Sequence, residues 1–196
     1  MTGTLIAFEG LDQSGKQTQA EALRDALGQI GRRCELVSFP DYGTAIGAEI
    51  HRALHGAHAY APDVMQLLYI ANRYEQKTRM AAWLAEGVIV LCDRYLASSI
   101  AYGEAQGLDA PWLADIQRFL PQPKLTILLD ILPETAARRK AADRDRYERD
   151  LSLLGRVRQS YLAQAARGGW ALVDADRSRE EVSRDVRAAV SRLGLL

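Results

Sequence analysis

The fold is decided by the stretch Gly10-Leu11-Asp12-Gln13-Ser14-Gly15-Lys16-Gln17-Thr18. A lysine directly follows the second of two glycines that have four residues between them, which is the pattern of a phosphate-binding loop, or P-loop. The short apolar run 4–9 before it predicts a β-strand, and a helical pattern begins at Lys16. Backbone N–H groups of the loop and the positive end of the helix dipole would then surround a phosphate. We predict that all nine residues bind the phosphates of a nucleotide.

One position departs from this pattern. The residue after the lysine is Gln17, where such loops usually carry a Ser or Thr whose hydroxyl binds Mg²⁺. Thr18 comes next, but it lies about 100° further around the helix, so it is better placed to contact the α-phosphate. The amide oxygen of Gln17 or a water molecule could replace the hydroxyl, because Mg²⁺ keeps several waters. Both arrangements remain open at this point.

Strand and helix patterns alternate along the whole chain. Short apolar runs typical of strands buried on both faces occupy 4–9, 34–39, 88–93, 125–130 and 171–173. Helical patterns occupy 16–30, 62–84, 111–120, 133–142, 150–166 and 179–193. This alternation predicts an α/β protein of three layers, with helices on both sides of a five-stranded parallel sheet. Nothing resembles a linker or repeat, so we expect a single domain, 1–196.

Composition excludes several classes of function. The 25 Lys and Arg residues balance the 25 Asp and Glu residues, whereas a nucleic-acid-binding protein usually shows a basic excess. No apolar stretch approaches the ~20 residues of a membrane span, and residues 1–4 lack the basic start of a signal peptide. Cys34 and Cys92 lie in apolar runs and are expected to be buried, reduced thiols. We expect a cytoplasmic protein that binds neither nucleic acid nor membranes.

Five further motifs narrow the class. They are Phe39-Pro40-Asp41-Tyr42-Gly43, Asp93-Arg94-Tyr95, Ala97-Ser98-Ser99-Ile100-Ala101-Tyr102, Asp145-Arg146-Tyr147-Glu148 and Val173-Asp174-Ala175-Asp176-Arg177-Ser178. With the P-loop, and in this order and spacing, they resemble the thymidylate kinases from about residue 5 to 182. The resemblance implies a P-loop nucleoside-monophosphate kinase, usually a homodimer. It also implies transfer of the γ-phosphoryl group of ATP to dTMP, with Mg²⁺ as cofactor.

Several charged residues are candidates for the phosphate site. Arg94 follows a buried strand at its carboxyl end, where α/β sheets bind ligands, and could hold a monophosphate bidentately. It could instead form an ion pair with Asp93 or another nearby acid. Asp93 is placed like a Walker-B acid and could orient Mg²⁺-bound water. The resemblance implies that Asp12 lies near the sugar 3′-hydroxyl and the metal, although an Asx turn would also explain it.

The base-recognition candidates lie on a predicted long helix. Tyr69 and Arg73 are four residues apart and therefore share one face. The resemblance implies that Tyr69 stacks on thymine and that Arg73 reaches O4. Cytosine carries an amino donor in place of O4, which would disfavour dCMP. An ordinary exposed helix surface is the alternative explanation.

Four more residues complete the acceptor site by resemblance. Ser99 would face the base, and Tyr102 would crowd the sugar 2′ carbon and so favour deoxyribose. Phe39 and Tyr42 would form the walls of the same pocket. Core packing is the alternative explanation for these aromatic side chains, and for Phe39 in particular.

The remaining catalytic charge is predicted in a short mobile lid, approximately 138–150. Some thymidylate kinases carry a basic residue where this chain has Gln13, and others place arginines in the lid. Arg139 and Arg146 match the lid positions and would share one helical face, joining Lys16 and Arg94 as catalytic residues. Because acidic residues alternate with these arginines, a solvated charged helix is the alternative.

Two rival functions remain open. The chain could phosphorylate another nucleotide, such as dUMP or dGMP, although Tyr69 with Arg73 favours a 4-keto pyrimidine. It could also be a P-loop switch that binds nucleotide without turnover, which Gln17 would favour by weakening Mg²⁺ binding. Lys16, Arg94 and the lid arginines argue against a simple binding protein, because charge stabilisation of this kind serves phosphoryl transfer.

Overall fold

The computed structural model describes residues 3–139 and 150–196, and these ranges contain five strands and eight helices. The strands are β1 (Thr4–Glu9), β2 (Cys34–Ser38), β3 (Ile89–Asp93), β4 (Leu125–Asp130) and β5 (Ala171–Asp174). The helices are α1 (Lys16–Gln29), α2 (Ala45–Leu54), α3 (Pro62–Ala85), α4 (Leu96–Glu104), α5 (Ala110–Asp115), α6 (Pro133–Arg139), α7 (Leu151–Gly168) and α8 (Arg179–Ser191).

The five strands form one parallel sheet in the order β2-β3-β1-β4-β5. The predicted α/β fold with a five-stranded parallel sheet is therefore confirmed. β1 is the central strand, with Ile6 paired to Leu91 on one side and to Leu125 on the other. Because all carboxyl ends lie at one edge, the loops after β1, β2 and β3 meet there.

Helices cover both faces of the sheet. Ile6 and Phe8 belong to a core cluster that also contains Leu23 of α1 and Val186 of α8. The alternate residues of β1 face the other way, and a second cluster joins Leu5 to Met80 of α3, among others. The alternation of side chains along a strand places these two sets on opposite faces. The sheet thus forms the middle of three layers.

The prediction that every strand is buried on both faces was wrong for the two edge strands. β3 has four fully buried residues in its five, whereas β2 and β5 each bury one residue. Leu172 of β5 is 57% exposed. The outer strands lie at the margins of the helical layers, so part of each outer strand remains in contact with solvent.

The predicted helix 111–120 was also wrong in extent, because α5 ends at Asp115. The Gln117 side-chain amide donates to the Leu113 carbonyl at 2.9 Å, and the Gln117 backbone N–H bonds to Ala114 instead. This side-chain bond occupies the acceptor that a continued α-helix would use. Helices α2 and α4 were not among the predicted elements.

The predicted bounds of β1 and β4 are confirmed, and the other predicted boundaries differ by at most two residues, as helix and strand ends usually do. The end of the predicted helix 133–142 lies beyond Arg139 and outside the described residues. Cys92 is buried, but Cys34, on the edge strand β2, is only partly buried, which corrects the expectation for that thiol. Burial still raises the pKa of Cys34 to about 12. In the described ranges, no helix is both long and apolar enough to span a membrane.

Candidate active site

The P-loop follows β1 directly and wraps around the start of α1. Gly10 has φ of +139°, and a Cβ atom there would lie 2.4 Å from the Leu129 carbonyl oxygen, so only glycine fits. Gly15 has φ of +90° and is the N-cap of α1. These two positions let the backbone turn tightly between strand and helix, which points the free N–H groups of the helix start into the loop.

Lys16 is buried within this loop. Its ammonium group donates to the Leu11 carbonyl oxygen at 2.8 Å. Burial and the nearby charge of Arg94 lower the pKa of Lys16 to about 8, although Asp12, Asp93 and Glu9 act in the opposite direction. The negative charge of a bound phosphate would raise this pKa again, because it favours the protonated ammonium group.

The first of two adjoining cavities, the donor cavity, lies over the P-loop. Its lining includes the P-loop residues from Asp12 to Thr18 together with Gln19, Phe39, Asp93, Arg94, Arg139, Ala175, Arg177, Arg179 and Val182. Gly10 and Leu11, also predicted to contact phosphate, do not line it. Their carbonyl oxygens instead accept hydrogen bonds from Arg94 and Lys16.

Sequence reasoning missed the far end of the donor cavity, between the loop after β5 and helix α8. The motif Val173–Ser178 has no predicted role beyond its part in the family resemblance. Its Ala175 and Arg177 line this end of the donor cavity. A motif that follows the last strand at its carboxyl end was the available signal, since that edge carries the site.

The acceptor cavity is the second one. It is lined by Asp12, Phe39, Pro40, Tyr42, Leu54, Gln66, Tyr69, Arg73, Arg94, Ser98, Ser99 and Tyr102. All eight residues predicted to bind dTMP are in this set, drawn from the P-loop, the loops after β2 and β3, α3 and α4. Sequence reasoning missed Pro40, Leu54, Gln66 and Ser98. Phe39 is buried in the core and also lines the cavity.

An ion pair between Arg94 and Asp12 stands where the two cavities meet. The Arg94 Nη2 atom donates to the Asp12 carboxylate at 2.7 Å, and Tyr102 donates to the same carboxylate at 3.1 Å. These bonds show that Asp12 does more than form an Asx turn. They also show that Arg94 forms its ion pair with Asp12 and not with Asp93. Although burial opposes its ionisation, the charges of Arg94 and Lys16 hold the pKa of Asp12 well below its usual value.

A buried hydrogen-bond network supports Arg94 from behind. Arg94 adopts φ of +62°, a left-handed conformation that is costly for a residue with a Cβ. Its Nη1 atom donates to Ser98 Oγ at 3.2 Å and to the Tyr161 hydroxyl at 3.3 Å. Fully buried Glu9 accepts from Ser98, Tyr161 and the Tyr95 backbone N–H. The network fixes the guanidinium and helps to offset the backbone strain.

Arg73 is buried in the acceptor cavity with an exposed fraction of 2%. This burial rules out the exposed helix surface considered for it. Its Nη1 atom donates to Ser99 Oγ at 2.6 Å, and its guanidinium lies 5.9 Å from the centroid of the Phe39 ring. Burial lowers the pKa of Arg73 from its ordinary value, but a guanidinium stays protonated in proteins. A fixed cation therefore faces this cavity.

The residues near Lys16 can accommodate a magnesium ion. Asp93 lines the donor cavity, and its Oδ1 atom is buried without a hydrogen-bond partner among the described residues. A metal-bound water would satisfy that atom. The Gln17 amide group instead donates to Glu21 Oε1 at 2.9 Å on the exposed side of α1. In the part of the chain that the structure describes, no cluster of three His, Cys, Asp or Glu side chains is suited to a metal.

Arg139 links the end of α6 to the P-loop. Its guanidinium donates to the Gln13 carbonyl oxygen at 3.1 Å and to the Ala175 carbonyl oxygen at 2.8 Å. It is therefore attached to the rim of the donor cavity, while its side chain remains 34% exposed to solvent. The other predicted lid arginine, Arg146, and most of the predicted lid 138–150 lie outside the described residues.

A P-loop with a buried lysine, joined through an arginine to a second cavity, defines a P-loop kinase of small molecules. Comparisons with known proteins narrow this class. The family model described as thymidylate kinase matches residues 8–186. The human thymidylate kinase is 34% identical over 187 residues, 94% of this chain and 88% of the human protein. The probable thymidylate kinase of Pyrobaculum calidifontis is 38% identical over 190 residues, 95% of each chain.

A solved structure agrees with these relatives. The thymidylate kinase of Candida albicans matches with a TM-score of 0.83 and 29% identity, over 99% of this chain and 93% of that one. The chain belongs to the thymidylate kinase family, the ATP-dependent enzymes that phosphorylate dTMP to dTDP.

Proposed function

We propose that the donor cavity binds ATP, that the acceptor cavity binds dTMP, and that the γ-phosphoryl group passes between them. The observation that carries this proposal is the sharing of Asp12 and Arg94 by both cavities. A phosphate bound by Arg94 from the acceptor side would lie next to phosphates bound by Lys16 from the donor side. Adjacent reactants in a fixed geometry are the main requirement of phosphoryl transfer.

The proposed roles of the charged residues follow from their positions. Lys16 stabilises the β- and γ-phosphates of ATP, and Arg94 holds the phosphate of dTMP in line with them. Arg139, on the rim of the donor cavity, neutralises charge on the phosphates as they bind. Arg146 is proposed from sequence alone as a further lid cation. Cationic stabilisation of the equatorial oxygens is the largest contribution that such residues make.

We propose Mg²⁺ as the cofactor, held by Asp93 through a water molecule. When bound, Mg²⁺ neutralises charge on the phosphate oxygens of ATP. The Oδ1 atom of Asp93 supports this assignment, because it is buried and has no hydrogen-bond partner among the described residues. Gln17 contributes no direct ligand in this proposal; its amide nitrogen donates to Glu21 on the exposed side of α1.

Turnover separates this proposal from the rival P-loop switch. Purified protein is incubated with ATP, Mg²⁺ and dTMP, and ADP release is followed in a coupled assay. Release that requires all three components supports a kinase. ATP binding without dTMP-dependent release would instead favour a nucleotide-binding protein.

Base selectivity is proposed to depend on Arg73, with Tyr69 stacking on thymine. Replacing Arg73 with alanine is expected to lower the preference for dTMP over dCMP about 10- to 100-fold, because the donor to O4 is lost. The measurement is the ratio of kcat/KM for the two substrates. Arg79→Ala is the matched control: this arginine, on the same helix, lies over the Trp83 ring and does not line the acceptor cavity. An unchanged ratio in Arg73→Ala would contradict the O4 assignment.

ATP affinity is expected to depend on pH through Lys16. The lysine has a lowered pKa of about 8 and must be protonated to bind phosphate, so the affinity should be level below that pH. Above it, the affinity should fall by up to about tenfold per pH unit, because binding must then take up a proton. Calorimetric titration with ATP at increasing pH measures this slope.

A variant provides the control for the pH effect. Lys16→Arg keeps a positive charge that does not titrate in this range. The variant should bind ATP more weakly but show no additional loss between neutral and alkaline pH. A wild-type affinity that stays constant well above pH 8 would contradict the role given to Lys16.

We also propose a cytoplasmic homodimer of a single domain, 1–196. The resemblance to thymidylate kinases supports the dimer, and an apolar surface is available on α3. Val64 and Leu67, three residues apart on that helix, are 38% and 46% exposed. Sedimentation equilibrium measures the mass of the assembly in solution, and a monomer at all concentrations would exclude the dimer.

A further inference from the structure

Gln66 lies in the acceptor cavity but has no role in the function proposed so far. It lies on α3, is 1% exposed and lines the cavity together with Tyr69 and Arg73. Positions 66, 69 and 73 are spaced i, i+3 and i+7, so they share one face of the helix. The side chain of Gln66 therefore belongs to the surface that faces the proposed base.

The amide group of Gln66 has no hydrogen-bond partner for either its nitrogen or its oxygen among the described residues. The other buried glutamines in these ranges differ. Gln117 bonds to Leu96 and Leu113, Gln164 bonds to Ala97 and Ser160, and Gln19 donates to Arg179. Burial of an amide without partners costs free energy, and a ligand that pairs with both atoms would remove this cost.

The other polar groups of the acceptor cavity are largely occupied. Asp12 and Arg94 pair with each other, and Ser99 accepts the short bond from Arg73. Besides the Gln66 amide, the Arg73 Nε atom is also buried without a partner among the described residues. A ligand that pairs with these groups must therefore offer a donor to the Gln66 amide oxygen and an acceptor to the Gln66 amide nitrogen. It must also offer an acceptor to Arg73 Nε.

The imide edge of thymine has this pattern. Its N3–H group is a donor that lies between two carbonyl acceptors, O2 and O4. A glutamine amide places an acceptor oxygen beside a donor nitrogen and can pair with N3–H and an adjacent carbonyl at once. If Arg73 binds O4, then N3–H and O2 remain for Gln66.

We propose that Gln66 is a base-recognition residue that binds the thymine imide edge through both atoms of its amide. The proposal rests on the assignment of dTMP to the acceptor cavity. It divides recognition between two residues, so that Arg73 selects a 4-keto base and Gln66 supplies affinity for the N3–H side. It also explains why an uncompensated amide is kept in a buried position.

The test uses Gln66→Leu, which keeps the approximate size and removes the polar atoms. Unpaired polar groups that are replaced by apolar ones of similar shape are neutral or stabilising, so Tm of the ligand-free variant should be unchanged or higher. The Kd for dTMP should rise about tenfold or more, and the KM for dTMP should rise with it. The Kd for ADP and kcat should remain near the wild-type values.

Gln164→Leu is the matched control. This buried glutamine on α7 has a paired amide nitrogen, which bonds to Ala97 and Ser160, and does not line the acceptor cavity. It should show the opposite result, a lower Tm with an unchanged Kd for dTMP. A second measurement needs no variant at Gln66: N3-methyl-dTMP should bind wild-type protein much more weakly than dTMP, and Gln66→Leu should reduce or abolish this difference.

The outcomes separate this inference from the proposed function. Wild-type binding of dTMP with an unchanged Kd in Gln66→Leu would overturn the role of Gln66 and leave the proposed function intact. A lower Tm with unchanged dTMP affinity would make Gln66 a packing residue and would also overturn it. Failure of the wild-type protein to bind dTMP would contradict the proposed function, and this inference would fail with it.

Discussion

Replacing Arg94 with alanine is expected to lower kcat/KM for dTMP by about 10³-fold. The guanidinium side chain is 13% exposed and is bonded to Asp12, Ser98, Tyr161 and the Gly10 carbonyl oxygen. Its loss would remove the proposed phosphate ligand and leave the partly buried Asp12 carboxylate without its cation. The unpaired carboxylate would also repel the phosphate of dTMP. Steady-state kinetics at varied dTMP measure the loss.

Two variants show whether the loss is specific. Arg94→Lys keeps a positive charge without the bidentate geometry and should have an intermediate kcat/KM. Arg158→Ala is the matched control: Arg158 forms a two-bond ion pair with Asp130 at 2.7 Å but lines neither cavity. Its KM for dTMP should be near the wild-type value. Equal losses in Arg94→Ala and Arg158→Ala would show that a general structural defect is responsible.

Replacing Lys16 with alanine is expected to lower kcat by at least about 10²- to 10³-fold. One preorganised group that stabilises developing charge commonly contributes this much, and Lys16 is the buried cation at the centre of the P-loop. ADP affinity should fall as well, because the ammonium group binds the phosphates in the ground state. Single-turnover measurements with saturating ATP separate the loss of chemistry from the loss of binding.

The position of the lysine should matter as well as its charge. Lys77 provides the comparison, since it lies on α3 near the rings of Tyr74 and Phe119 and lines neither cavity. Lys77→Ala should leave kcat near the wild-type value. A kcat within about tenfold of wild type in Lys16→Ala would contradict the proposed charge stabilisation.

The sheet and the P-loop could be predicted because their signals are local. Central strands of a parallel sheet are buried on both faces, so β1, β3 and β4 appear as continuous apolar runs. The loop pattern between β1 and α1 depends on glycine conformations that few other residues adopt. Edge exposure in β2 and β5 could not be predicted in the same way, because strand order is a property of the assembled sheet.

Residues that act through long-range contacts were harder to predict. Tyr161 has no distinctive sequence spacing, and its importance depends on neighbours from other elements. Gln66 shares a helical face with Tyr69 and Arg73, but the unpaired state of its buried amide is visible only in the folded protein. The Arg94 network shows why: Tyr161 of α7, Ser98 of α4 and Glu9 of β1 meet only after folding. The early end of α5 depended on a single side-chain bond of Gln117, which pattern analysis does not detect.

The most direct test of the proposed function is the rate of product formation with a panel of acceptors. Wild-type protein with ATP and Mg²⁺ is supplied separately with dTMP, dUMP, dCMP, dGMP and UMP, and each nucleoside diphosphate is quantified by chromatography. We predict the highest kcat/KM for dTMP, a clear loss for dCMP from the missing 4-keto group, and a loss for UMP from its 2′-hydroxyl. Comparable rates for dCMP and dTMP, or no dTDP despite ATP binding, would contradict it.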